Sequence, residues 1–211
     1  MADSDTQVAA KPIAPAGGGV GPLLQRDYWA VLGHCRGTAA EVARAVAERF
    51  WRYPPPDMVC FERVDGTTDP LQSGDVMAVE IRVAGTCHVR VVHRDELSLT
   101  LATLDGHPEA GRITFGAYPN ARGEIVFHIR SRARASSRNR LLGFLTAGEP
   151  MQTLTWTGFI DRLAASVGAG VRDVIHADTR EVTERAEDRC AEGLGPTFRA
   201  VDPTVAQGAG A

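Results

Sequence analysis

The sequence is poor in aromatic residues and in lysine, and it has no long apolar run. Aromatic residues make up 6% of the 211 positions, and Lys11 is the single lysine. No stretch reaches the ~18 consecutive apolar residues that a membrane-spanning helix needs. The formal net charge of −3 gives no overall basic surface for a phosphate backbone. We therefore expect neither a membrane protein nor a nucleic-acid-binding protein.

Paired cysteines are also absent. Cys35, Cys60, Cys87 and Cys190 lie far apart, and none forms a CxxC pair or has a histidine at zinc-finger spacing. This spacing predicts no structural metal site, and no motif indicates a cofactor. The N-terminal residues lack the basic start and apolar core of a signal peptide, which favours a cytoplasmic protein.

The length and composition fit one domain with irregular ends. A hydrophobic fraction of 44% is enough for one core. Residues 1–22 are polar and then rich in Ala, Gly and Pro, which is typical of a disordered lead-in. We predict a single α+β domain over residues 23–175, followed by a charged helix and a disordered tail over residues 176–211.

Alternating apolar and polar residues predict about six antiparallel strands in the middle of the chain. The links between them are too short for crossover helices, which excludes parallel pairing of neighbours. Each strand has one apolar face, so the sheet needs a cover on that side. The predicted strands are residues 59–64, 76–83, 87–91, 97–101, 113–115 and 125–129.

Two helices flank these strands. Thr38 and Glu41 have the spacing of a capping box at the start of a helix over residues 39–50. A longer helix is predicted from Pro150 to about Val174, with apolar residues over roughly three-sevenths of its surface. This order is that of a curved antiparallel sheet packed on a long C-terminal helix, with a ligand cavity between them. Other two-layer α+β folds give the same order.

The loop at residues 105–111 contains more residues suited to catalysis or binding than a turn requires. It combines two glycines and a proline with His107 and Glu109. A histidine two residues from a carboxylate can act as a general acid or base. The same residues also fit a structural turn in which both side chains bond to the backbone.

Arginines and aromatic residues supply further candidates. Residues 130–140 contain five arginines, which suit a phosphate, a carboxylate or an acidic protein surface. Such a run is also common in solvated connections. Large aromatic side chains can line an apolar pocket or simply fill the core.

Residues 103–111, TLDGHPEAG, resemble the central motif of a bacterial and plant family of domains of unknown function. The family's motif is a G-T-L-P-G-H-P-E-x-G-E run, followed by a strand with Phe, by S-R-P and by a closing helix that begins near a glutamine. The matching residues are Thr103, Leu104, Gly106, His107, Pro108, Glu109, Gly111, Phe115, Ser131, Arg132 and Gln152. The order of the predicted strands and helices also resembles that of the family over roughly residues 28–170.

The chain departs from the motif at a few positions: Ala102, Asp105, Arg112 and Ala133. Arg112 stands where the family has a glutamate, so chemistry that depends on that acid is not available here. The family is similar to the START-like helix-grip proteins, a superfamily of lipid carriers, hormone receptors and polyketide cyclases. The resemblance implies the helix-grip fold, although a shared fold does not carry a shared function.

The expected function is binding of a polyketide-like or other hydrophobic small molecule. In one version the protein is a cofactor-independent cyclase, isomerase or dehydratase of secondary metabolism, in which His107 and Glu109 move protons and arginines near Arg132 orient the substrate. The alternatives are a non-catalytic carrier or sensor, or an interaction scaffold that uses the arginine-rich segment. The candidate ligand-binding residues are Thr103, Phe115, Phe127, Arg130, Arg132, Trp156 and Phe159. The sequence leaves open whether the chain is an enzyme and whether it forms a homodimer.

Overall fold

The computed structural model describes residues 7–82, 84–139, 149–191 and 194–200. The strands are β1 (Val20–Val31), β2 (Val59–Arg63), β3 (Val76–Ile81), β4 (Gly85–Arg94), β5 (Ser98–Thr103), β6 (Glu109–Pro119), β7 (Ile125–Ala135) and β8 (His176–Glu181). They are accompanied by the helices α1 (Ala39–Arg49), α2 (Glu149–Val167) and α3 (Ala186–Arg189). None of the helices in these ranges is both long and apolar enough to cross a membrane.

The strands form one curved, eight-stranded sheet in the order β2-β3-β4-β5-β6-β7-β1-β8. Every neighbouring pair is antiparallel. The register shifts between Val91 and His93 where β4 meets β5, an irregularity of the kind that bends a sheet. The α+β class, the antiparallel sheet and the C-terminal helix are confirmed, whereas the expected number of about six strands is too low.

The two additional strands are β1 and β8. Strand β1 is buried on both faces over most of its length and carries polar residues on each, so it shows no alternation of apolar and polar positions. All residues of β8 are exposed, because it is an edge strand that pairs only with β1. In place of the charged helix predicted at the start of residues 176–211, the structure has β8 and the short α3.

The ends of the chain lie against the outer face of the sheet. Residues Ala16–Gly18 form a 3₁₀ helix, and the Ala14 N–H donates to the backbone oxygen of Thr103 at 2.8 Å. Near the other end, the Thr197 N–H donates to Thr114 Oγ1 at 2.8 Å. Polar groups on the sheet thus bind the backbone of both segments, which differs from the disorder predicted for them. Residues 1–6 and 201–211 lie outside the described residues.

One end of the concave face is filled by α1 and the second half of α2. The predicted capping box of α1 is confirmed, with Thr38 and Glu41 bonded to each other's backbone N–H. Phe50, Phe115 and Phe159 pack with ring centroids 5.0 to 5.4 Å apart, and each is fully or almost fully buried. This end of the sheet therefore has a solid aromatic core.

Helix α2 ends at Val167 rather than at Val174. A Cβ atom on the next residue, Gly168, would lie 2.4 Å from the backbone oxygen of Gly33. The Ala169 N–H donates to that same oxygen at 2.7 Å, so the chain leaves the helix to bond to the segment that follows β1. These contacts fix the C-terminal end of α2 against the sheet.

Candidate ligand cavity

The other end of the concave face encloses a cavity of about 560 Å³. This volume lies in the range of small-molecule sites, which run from about 300 to 1,000 Å³. Strands β2 to β7 and the first turns of α2 supply its walls, and most of the wall is apolar. The apolar side chains of the lining are Met58, Val59, Phe61, Val79, Ile81, Ala84, Val89, Leu101, Pro108, Ile113, Ala133, Met151 and Trp156.

A tight strand contact shapes the polar side of the cavity. Gly111 has a φ of 154°, and a Cβ atom at this position would lie 2.2 Å from the backbone oxygen of Arg132. Only glycine allows β6 to run this close to β7. The contact positions Glu109, two residues earlier on the same side of β6, in the cavity wall.

Glu109 is the acidic group of the wall. Its side chain is 13% exposed, and its Oε1 accepts a hydrogen bond from Gln152 Nε2 at 3.1 Å. Burial raises the pKa of Glu109 above its ordinary value of 4.5, Arg26 and Gln152 oppose that rise, and Glu149 adds to it. A carboxyl group with a raised pKa can donate a proton closer to neutral pH than an exposed glutamate can.

Arg26 on β1 lies between two carboxylates. Its Nη1 is 3.6 Å from Glu109 Oε1, and its Nε donates to Glu149 Oε2 at 2.9 Å. The side chain is fully buried. Burial lowers the pKa of Arg26, but the two carboxylates outweigh it and raise the pKa above its ordinary value. Arg26 therefore stays charged and joins the start of α2 to the polar side of the cavity.

His107, the other residue of the predicted acid–base pair, also lies in the cavity wall. The backbone N–H of Glu109 donates to His107 Nδ1 at 3.0 Å, and the backbone N–H of His107 donates to Leu104 O at 3.0 Å. The imidazole therefore stabilises the turn that leads into β6. This contact is the structural role that the sequence allowed for His107, whereas its role as a general acid or base stays a prediction.

Thr103 and Trp156 are the other predicted residues that line the cavity. Thr103 Oγ1 accepts from the Gly111 N–H at 3.0 Å, and it also bonds to the backbone oxygen of Ala14. The Trp156 indole N–H donates to Gln152 Oε1 at 2.5 Å, and Gln152 in turn donates to Glu109. Trp156 and Gln152 thus orient the Glu109 carboxyl group from α2.

The three predicted phenylalanines do not reach the cavity. Phe115 and Phe159 belong to the aromatic core at the solid end, and Phe127 stacks on Phe159 with a centroid distance of 6.0 Å. The expectation that they bind a ligand is corrected, because Phe50 packs among the same rings and closes that end.

The two predicted arginines lie on the opposite face of the sheet. Arg130 donates to Asp27 at 2.5 Å, and Arg132 donates to Asp188 at 2.6 Å. Side chains alternate along β7, and Ser131 between them lines the cavity. The expected role of Arg130 and Arg132 in orienting a ligand is therefore corrected. Of the arginine-rich segment, Arg140 lies outside the described residues.

Arg26 and Glu149 are site residues that the sequence did not indicate. Arg26 lies in a strand that was not predicted, and Glu149 lies just before the predicted start of its helix. Arg26 could be recognised as a site residue only if the pairing of β1 with β7 were known, and no short stretch of the sequence indicates that pairing. Within the part of the chain that the structure describes, no three His, Cys, Asp or Glu side chains are grouped to hold a metal ion.

A comparison with protein-family models matches residues 23–166 to a family described as "Domain of unknown function (DUF1990)". The matched region begins within β1 and ends near the end of α2, so it contains every wall of the cavity. The curated proteins include no match to the chain.

Solved structures are also similar to this chain, at low sequence identity. The hypothetical protein jhp0584 from Helicobacter pylori is 9% identical with a TM-score of 0.50, and the match covers 67% of this chain and 86% of that one. Major latex-like protein 151 from Panax ginseng is 13% identical with a TM-score of 0.41, covering 70% and 99%. The di-domain ARO/CYC StfQ from the steffimycin biosynthetic pathway is 13% identical with a TM-score of 0.46, covering 70% and 51%. At such low identity a structural likeness concerns the fold alone.

Proposed function

The chain belongs to the DUF1990 family, as its central motif predicted, and we propose that its cavity binds a small, mainly apolar molecule whose polar group meets Glu109. The observation that carries this proposal is the presence, in one cavity of about 560 Å³, of apolar walls and a buried carboxyl group. Apolar walls supply affinity through burial, and a few placed polar groups supply orientation.

In the enzymatic version of this proposal, Glu109 is the general acid or base of a cofactor-independent cyclase, isomerase or dehydratase acting on a polyketide-like metabolite. Its burial and raised pKa suit proton transfer in an apolar cavity. Gln152 and Trp156 fix the carboxyl group, and His107 shapes the loop behind it. Arg26 lies behind Glu109 with its Nη1 3.6 Å from the carboxyl oxygen, so its positive charge acts on this group and not on the ligand.

A carrier or sensor with the same cavity is the second candidate. Several polar groups of the wall already bond within the protein: Thr103 and His107 to the backbone, and Trp156 to Gln152. Such groups hold the wall in shape, which suits a protein that retains a ligand without changing it. This observation favours the carrier over an enzyme that uses His107 as its base.

Binding is tested with the neutral fluorescent probe N-phenyl-1-naphthylamine. Leu101→Phe adds volume inside the cavity and is expected to weaken probe binding about tenfold, because the larger ring occupies the probe's space. Leu154→Phe is the matched control, because Leu154 is 60% exposed on α2. Circular dichroism of both variants verifies folding. Equal probe affinity in both variants would exclude the cavity as the binding site.

Catalysis is tested by native mass spectrometry of protein purified from its own host. If Glu109 moves a proton, Glu109→Gln is expected to retain the unconverted substrate. The substrate differs in mass from a dehydrated product, and it differs from an isomeric product in chromatographic retention after release from the protein. Retention of the same molecule by both proteins would support the carrier instead.

A further inference from the structure

We propose that the cavity selects electrically neutral molecules with a carbonyl or hydroxyl oxygen and discriminates against carboxylates such as fatty-acid anions. This inference rests on the proposed function, because it defines the ligand class of the same cavity. The preference for neutral ligands follows from two features of the cavity: the charged groups that face the ligand, and the ion pairs that these groups already form.

The polar side of the cavity holds more acid than base. In the part of the chain that the structure describes, Arg26 is the cation on this side, and it lies 2.9 Å from Glu149 and 3.6 Å from Glu109. A ligand carboxylate would be a third acidic group beside one guanidinium. Like charges at such distances repel strongly where water is excluded, so the carboxylate would lose its hydration without gaining a partner.

Glu109 separates the ligand from Arg26. The Glu109 side chain lines the cavity, whereas the Arg26 side chain is fully buried and is not part of the lining. A ligand therefore meets a carboxyl group and not a guanidinium. A fatty-acid site needs the reverse arrangement, with the arginine in contact with the ligand.

Among the described residues, the other polar side chains near the cavity do not supply that cation. Arg112 belongs to the cavity lining, but its guanidinium is directed to the outer face, where Nη2 lies 3.1 Å from Glu187 and Nη1 lies 3.3 Å from Asp188. His107 Nδ1 lies 3.0 Å from the backbone nitrogen and 3.1 Å from the backbone oxygen of Glu109, so the backbone of the turn already engages this ring nitrogen. Tyr28, next to Arg26 on the inner side of β1, stays neutral because burial raises its pKa to about 12.

Two groups in the wall suit a neutral oxygen. Glu109 accepts a hydrogen bond from a ligand hydroxyl when it is ionised and donates one to a carbonyl oxygen when it is protonated. The bond from Gln152, which Trp156 holds in place, fixes the orientation of the carboxyl group. Ser131 lines the cavity and is only 4% exposed, and its Oγ has no hydrogen-bond partner among the described residues. Buried hydroxyl groups are rarely left without a partner, so a ligand oxygen is the natural complement of Ser131.

The test is displacement of bound N-phenyl-1-naphthylamine at pH 8 by 1-dodecanol and by dodecanoate, which share one alkyl chain. The alcohol is expected to displace the probe at about tenfold lower concentration than the anion. The measured quantity is the ratio of the dodecanoate concentration to the dodecanol concentration that displaces half of the probe. In Glu109→Gln this ratio is expected to shrink to about threefold or less, because one negative charge is gone. Glu96→Gln, a change on the exposed surface, is the matched control and is expected to keep the full ratio.

A second variant keeps the test decisive if Glu109→Gln does not fold. Glu149→Gln removes the other carboxylate beside Arg26 and is expected to narrow the ratio as well. Equal displacement by alcohol and anion, or a ratio that neither variant changes, would overturn the ligand class while the cavity remains a binding site. Failure of both compounds, together with probe binding that Leu101→Phe does not affect, would instead overturn the proposed function.

Discussion

Gly111 determines how closely β6 and β7 approach at the polar side of the cavity. Its φ of 154° and its distance from the Arg132 carbonyl leave no room for a side chain. Any Cβ atom would separate the two strands next to Glu109. The position of the acidic group thus depends on a residue that has no functional atoms of its own.

Gly111→Ala is expected to lower the free energy of unfolding by about 3 kcal/mol, because the added methyl group collides with backbone atoms that cannot move independently. Gly106→Ala is the matched control. Gly106 also has a positive φ, 91°, but a Cβ atom there meets nothing within 4 Å, so about 1 kcal/mol is expected. Urea denaturation measures both changes. Equal losses of unfolding free energy in the two variants would show that the close approach of β6 to β7 does not cause the effect of Gly111→Ala.

The residues of the site differ in how far the sequence could predict them. His107 and Glu109 stand in a local turn motif, and the structure places both in the cavity wall. Arg26 could not be predicted in the same way, because its partners come from β6 and α2. A buried charge is recognisable only when the groups that neutralise it are known.

At the scale of elements, α2 carries a glycine that helix propensity alone would not favour. A Cβ atom on Gly158 would lie 2.6 Å from Cγ of Pro55, which belongs to the segment after α1. The helix therefore approaches this segment more closely than alanine would allow. The low helix propensity of Gly158 is therefore offset by the close packing of α2 on the segment that contains Pro55.

Gly158→Ala is expected to destabilise the protein by about 1 kcal/mol, although the same change in an open helix position stabilises by about that amount. A double-mutant cycle with Pro55→Ala separates the two effects. In the Pro55→Ala background the collision is gone, so Gly158→Ala is expected to become stabilising, as measured by thermal unfolding. A loss of stability in both backgrounds would contradict the proposed contact.

The elements that the sequence predicted are those with one apolar and one polar face. Helix α1 and strands β2 to β7 satisfy that condition, and the predicted segments overlap all of them. Strand β1 does not satisfy it, because the chain ends cover the outer face and allow polar residues such as Gln25 and Asp27 to be buried there. Strand β8 has no buried face, so only its backbone bonds to β1 define it.

At the scale of the whole molecule, the chain has a polar layer on the outer face of the sheet, opposite the cavity. Arg132 is 1% exposed and pairs there with Asp188 of α3, a residue beyond the region of the family match. Gln25 accepts another bond from Arg132 at 2.9 Å. A buried arginine requires such partners, so the segment after β8 contributes to the stability of the matched domain.

Asp188→Asn is expected to lower the free energy of unfolding at pH 7 by about 3 kcal/mol, because Arg132 loses its buried counter-charge. Asp173→Asn, at an exposed position, is the control and is expected to change little. Urea denaturation measures both variants.

The same carboxylate sets a dependence on pH. Burial alone would raise the pKa of Asp188, but hydrogen bonds from Arg132 and from the Arg185 backbone outweigh burial and hold the pKa below its ordinary value of 3.8. A group whose pKa is lower in the folded state stabilises the protein fully above its unfolded value and loses that contribution as the pH falls through the folded value. Stability is therefore expected to fall below about pH 4, and Asp188→Asn is expected to reduce that fall. An acid dependence identical in the variant and the unmodified protein would show that Arg132 does not depend on this charge.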